Sequence, residues 1–178
     1  MDPAITALAT LLAVLLGGLL TVRTNDRLWR REHNRQWRDI RISAYNDFLA
    51  ASRQYVAFAL DPTSRIEAAP HPSKPDESMP FFDERGTPYK EKLESAKTAV
   101  RLVCEGESAI EASSQVVRRA RQIAASRAVH GALTVPHEQF ESLWEAEAKF
   151  IGAARAELGL PRLSVRPATP SASSDNLA

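Results

Sequence analysis

Residues 3–22 read PAITALATLLAVLLGGLLTV, an uncharged run rich in Leu and Ala, and an arginine-dense segment follows at once. As a helix rising about 1.5 Å per residue, such a run covers about 30 Å, the thickness of a bilayer hydrocarbon core. It predicts a transmembrane helix. A cleaved secretory signal would place positive charge before the apolar region and small residues at a cleavage site after it. Here Asp2 precedes and Thr21, Val22 and Arg23 follow, so the span is expected to be retained. Arg23, Arg27, Arg30, Arg31, Arg35, Arg38 and Arg41 lie just past it, while the other flank has only the α-amino group and Asp2. Positive charge stays inside. The expectation is a single-pass protein of the inner (cell) membrane, N-terminus outside and C-terminal body cytoplasmic.

Outward from the span, no Gly or Pro occurs from Leu19 to Asp61, so the membrane helix is expected to run on as a basic, amphipathic juxtamembrane helix over 23–60. Its later part repeats Ala44, Tyr45, Phe48, Leu49, Ser52, Tyr55, Val56 and Ala59 at three- and four-residue steps. That face needs partner helices. Residues 61–88 contain Pro62, Pro70, Pro72, Pro75, Pro80 and Pro88, a density that reads as a linker, since proline removes donors that a helix or strand requires. Within it Phe81 and Phe82 form an apolar plug expected to dock, on the bundle itself or on a partner.

Residues 89–160 are expected to complete the bundle as a helical hairpin. Its first helix carries Tyr89, Leu93, Ala96, Val100, Val103, Ile110, Val117 and Ala124 in a coiled-coil-like series and stops at His130-Gly131. Gly106 interrupts it, and Ser108 with Glu111 offers a capping box that would restart a helix. An interior Gly costs only about 1 kcal/mol relative to Ala, and the register continues across it, which favours one long helix. The last helix opens at Thr134 and Pro136, buries a stripe of Phe140, Leu143, Trp144, Phe150, Ile151, Ala154 and Leu158, and closes at Gly159 and Pro161. Residues 161–178, rich in Pro, Ser and Ala, read as a disordered tail. With no strand-period segment the class is all-α: a transmembrane helix continuing into an antiparallel three-helix, or alternatively four-helix, bundle.

The net charge of +1 gives no whole-molecule attraction for nucleic acid, so any electrostatic role belongs to local clusters. At about 100° per residue the seven arginines from Arg23 to Arg41 fall within an arc of about 140°. Arg118, Arg119, Arg121 and Arg127 make a second cluster. Three readings stand open: topology and anionic headgroups, pairing with Glu138, Glu141 and Glu145, or nucleic acid, the least favoured because the expected aromatic interleaving and basic balance are mostly missing. Arg41 falls about 27 Å beyond Arg23 along a helix, outside the roughly 8 Å Debye reach of a bilayer surface. Within the span, Ala9, Ala13 and Gly17 form a small-xxx-small stripe for self-association.

Catalytic chemistry is not announced. The single Cys104 excludes an internal disulfide and reads as a small buried hydrophobe. His137-Glu138 with Glu141 lacks the second histidine of a zinc protease motif. No nucleophile elbow, P-loop or dinucleotide fingerprint is present, so no enzyme activity, no cofactor and no metal is expected. Taken with residues 43–49 (SAYNDFL) and 150–160 (FIGAARAELGL), the layout resembles membrane-anchored helical proteins of actinobacteria; the resemblance implies a location and a fold and carries no activity. The expected role is a scaffold or adaptor with a protein partner or a second copy. The alternatives are a membrane-organising module that binds anionic lipid and a mobile-element factor of the envelope.

Overall fold

The computed structural model describes residues 3–71, 74–131 and 135–161, with the backbone alone at 3–28, 30, 31 and 74–77. Helix α1 (Pro3–Leu60) is a single element of 58 residues. It ends where Asp61 folds the chain over: the carboxylate accepts from the Thr63 backbone N–H at 2.7 Å and from its hydroxyl at 2.8 Å. The Ser64 hydroxyl closes the turn on the Asp61 carbonyl at 2.7 Å. Among the described residues no helix is long and apolar enough to cross a membrane. The side chains of 3–22, on which a span is expected, lie outside the described residues, and with them Ala9, Ala13 and Gly17.

A β-hairpin follows where a linker over 61–88 is expected. Strand β1 (Ile66–His71) pairs antiparallel with β2 (Lys74–Phe82), in register from Ile66 opposite Phe82 to Pro70 opposite Ser78. Proline counts against a strand only where its nitrogen must donate, and a two-stranded ribbon leaves each strand one free edge. The ribbon is held by its root: Ile66 is buried, and Phe82 packs edge-on against Tyr55 with centroids 5.1 Å apart. Alternation along the strand separates the predicted plug. Phe82 docks on the bundle, while Phe81 stays 47% exposed.

Asp83 then accepts from the backbone N–H of Arg85 and of Gly86, each at 3.1 Å, and turns the chain into helix α2 (Thr87–Val103), with Pro88 in the first turn. Gly86 is required here by space. A Cβ on it would sit 2.5 Å from the Phe82 Cβ and 2.8 Å from Phe58. Arg41 meets Glu105 just past the end of α2, and Lys92 donates to Gln54 at 2.9 Å, so α2 runs antiparallel to α1.

The long helix expected over 89–130 is two helices. Cys104 and Gly106 are extended, and α3 (Glu107–His130) starts afresh with Gly106 as its N-cap. The Ser108–Glu111 capping box does not form, for α3 has no side-chain cap from its own residues. The Glu157 carboxylate accepts the Gly106 N–H at 3.0 Å instead. A tertiary anion at an N-terminus satisfies a donor and suits the helix dipole. That gain outweighs the modest saving of continuing through Gly106.

Helix α4 (His137–Glu157) packs against α3 and ends as its sequence predicts. Gly159 is left-handed at φ 67°. Its N–H bonds the Ala156 carbonyl at 3.1 Å and the Leu160 N–H bonds that of Arg155 at 2.9 Å, the paired bonds of a Schellman cap. The buried stripe is Leu143, Ala146, Glu147, Phe150 and Ala154. Trp144, expected within it, is 54% exposed, because one residue past Leu143 the helix has already turned by about 100°. The core joins Tyr45, Phe48 and Tyr55 of α1 to Leu93, Val100, Val116, Ile123 and Phe150. The described chain is therefore mostly helical, four helices and one hairpin.

Candidate interaction site

The residues of α1 from 32 to 40 are all exposed, so the helix leaves the bundle as a free-standing stem. Arg35 and Arg38 project from it; the side chains of Arg23, Arg27, Arg30 and Arg31 lie outside the described residues. A row of rings orders the stem. Trp29 stacks on His33 with centroids 5.3 Å apart and planes 7° from parallel. The Trp37 indole N–H donates to His33 Nε2 at 2.9 Å. Trp29 is nonetheless 67% exposed and Trp37 42%.

At the foot of the stem Arg41 turns inward and pairs with Glu105 on the turn between α2 and α3. That hydrogen bond raises the guanidinium pKa above its ordinary value. Between stem and turn lies a cavity of about 550 Å³, lined by His33, Trp37, Arg38, Leu102, Cys104 and Glu157 among others. Its floor is fixed by one carboxylate. Glu157 accepts the Gly106 N–H through Oε1 and the Tyr45 hydroxyl through Oε2 at 2.6 Å. Burial first, and then this hydrogen bond, push the Tyr45 phenol well above its usual range. Cys104 is half-buried, with its thiol 3.6 Å from the same hydroxyl. Burial raises the thiol pKa, so it stays protonated and is a poor nucleophile at neutral pH.

The second basic cluster closes on the protein's own groups. Arg121 pairs with Glu94, Arg119 donates to Gln122 at 2.9 Å, and Arg127 donates to the Asp61 carbonyl at 3.1 Å. Arg118 is exposed. Of the acids expected to meet a basic face, Glu141 lies 3.5 Å from His137, and Glu145 pairs with Lys149 at 2.8 Å, a contact that, with Arg119 nearby, lowers its pKa. Ion pairs among the described residues include Arg41 with Glu105, Arg53 with Glu147 and Arg121 with Glu94. Glu138, Glu141 and Glu145 are all exposed, and Glu145 shares a groove between α3 and α4 with Arg119 and Lys149.

Among the described residues, no group of three His, Cys, Asp or Glu side chains stands close enough to hold a metal ion. Sequence reasoning missed Glu157, whose partners are 51 and 112 residues away. It also missed the ring ladder, although Trp29, His33 and Trp37 are spaced four apart, a visible one-face signal. No protein-family model, curated protein or solved structure matches this chain.

Proposed function

We propose that the protein is a membrane-anchored, non-enzymatic adaptor whose helical bundle is held close to the cytoplasmic face by α1. One observation carries this reading. A single helix, Pro3–Leu60, bears the apolar run of residues 3–22 at one end and the core-forming face of Tyr45, Phe48 and Tyr55 at the other. A helix of that design transmits position rigidly, and the exposed stem between its ends is surface the bundle does not use. The charge bias of the flanks supports an orientation with the N-terminus outside and the body inside.

The test is affinity purification of the tagged full-length protein from mildly solubilised native membranes, beside a variant with Arg30, Arg31, Arg35 and Arg38 changed to Gln. A stoichiometric protein partner lost in the variant supports the adaptor. Recovery of lipid and the chain alone contradicts it.

A second reading, binding of anionic headgroups, is favoured by Arg23 and Arg27, which fall within about 8 Å of the end of the apolar run along the helix axis. It accounts for those two arginines and leaves Arg35, Arg38 and the ring ladder without a role.

A further inference from the structure

We propose that the stem, residues 29–41 of α1, together with the cavity at its foot, docks an acidic amphipathic helix of a partner protein; the proposal rests on the adaptor reading and names the chemistry of its partner. The stem presents two surfaces side by side. Trp29, His33, Trp37 and Ile40 follow at steps of four, four and three residues, which makes a narrow seam along one face. The arginines occupy an adjoining arc of about 140°. A helix-in-groove partner offers the complement, apolar anchors at the same spacing and carboxylates beside them. Tryptophan and arginine are also the residues most enriched at interface hot spots. The Trp29 stack and the Trp37 hydrogen bond, both on His33, hold the rings in one arrangement before anything binds, and that lowers the ordering cost of association.

Other occupants fit less well. Trp37 lies 15 residues past Val22, about 22 Å along the axis, several Debye lengths from a bilayer that ends there. The bundle leaves residues 32–40 exposed. A second copy meets like charge: residues 29–41 hold five arginines against Glu32 and Asp39, a net +3 on each stem, and like-charge juxtaposition opposes pairing. A nucleic acid would satisfy the arginines but make no use of the aliphatic side chains, Ile40 at 49% exposure and Leu102, across the cavity, at 78%. Leu102 lines the opening at the foot of the seam together with Trp37 and Leu158.

The test places a photo-crosslinking benzophenone amino acid at position 37 of the full-length protein in its native membranes, with position 144 as an exposed control, and maps each adduct by mass spectrometry. The expected adduct from position 37 is a protein segment of net negative charge with apolar residues at helical spacing. Arg35→Glu with Arg38→Glu should reduce it about tenfold or more, since rim charges set encounter and specificity. Position 144 should not give that adduct. Adducts to a second copy, to lipid, to nucleic acid or to a segment without net negative charge overturn the proposal, as does the absence of any adduct. Flotation of the same membranes reads the anchor separately: a chain that floats and gives no adduct sinks only this proposal, and one that does not float sinks the adaptor reading.

Discussion

The Tyr45 hydroxyl donates to Glu157 Oε2 at 2.6 Å, tying the start of the α1 core face to the end of α4 across 112 residues of sequence. The same carboxylate caps α3 at Gly106. Glu157→Ala removes both bonds and should destabilise the full chain by about 2 kcal/mol, the usual worth of hydrogen bonds to a charged group. A double-mutant cycle of Tyr45→Phe and Glu157→Gln, followed by chemical denaturation, should return a coupling of about 1 kcal/mol. Additive losses would mean the contact holds nothing together.

Two aromatic residues six positions apart on α4 should behave oppositely. Phe150 is fully buried and meets Tyr45 and Phe48 edge-on, whereas Trp144 is 54% exposed. Phe150→Ala should cost about 3 to 5 kcal/mol. Trp144→Ala should stay within about 0.5 kcal/mol. Equal losses in thermal unfolding would place α4 in a different rotation.

Gly86→Ala drives a methyl group into Phe82 and Phe58, where the approach is 2.5 to 2.8 Å. Overpacking of this kind costs about 1 to 3 kcal/mol. Because the strain falls at the root of the hairpin, amide exchange in β1 and β2 should quicken more than in α3. Unchanged exchange across the hairpin would show that its root is not fixed there.

The bundle should lose stability in alkali. Burial raises the phenols of Tyr45 and Tyr55 above their ordinary value near 10. A group with a raised folded-state pKa contributes stability that is complete below its unfolded pKa and is lost as pH climbs toward the folded value. Melting of the detergent-solubilised chain should thus be flat through neutral pH and fall above about pH 10, with Cys104, whose thiol burial also raises, starting the decline somewhat earlier. Tyr55→Phe should make the fall shallower; an unchanged slope would remove Tyr55 from the cause.

Much of this fold is legible in the residues, for reasons that differ by element. The rod of α1 follows from the missing Gly and Pro between 19 and 61, and its core face from three- and four-residue spacing that the structure buries at Tyr45, Phe48, Ser52, Tyr55 and Ala59. The end of α4 is written in Leu158-Gly159, a local signal with a local cause. What escaped is non-local. The break at Gly106 is decided by Glu157, and the hairpin by Phe82 finding Tyr55; neither partner is a neighbour in sequence, and proline density points the wrong way when an edge is free. The site was half legible. The arginine arc could be drawn on a wheel, but only the structure separates Arg41, turned inward onto Glu105, from Arg35 and Arg38, which stay on the exposed stem.

The central claim, that α1 anchors the bundle to a membrane through residues 3–22, is tested most directly by alkaline carbonate extraction of membranes carrying the full-length protein and, in parallel, a variant with Leu12→Arg and Leu15→Arg. Charges at the bilayer centre cost about 2.5 to 3.5 kcal/mol each on insertion scales. The native chain should stay with the membrane pellet and the variant should be released. Release of the native chain would contradict the anchor.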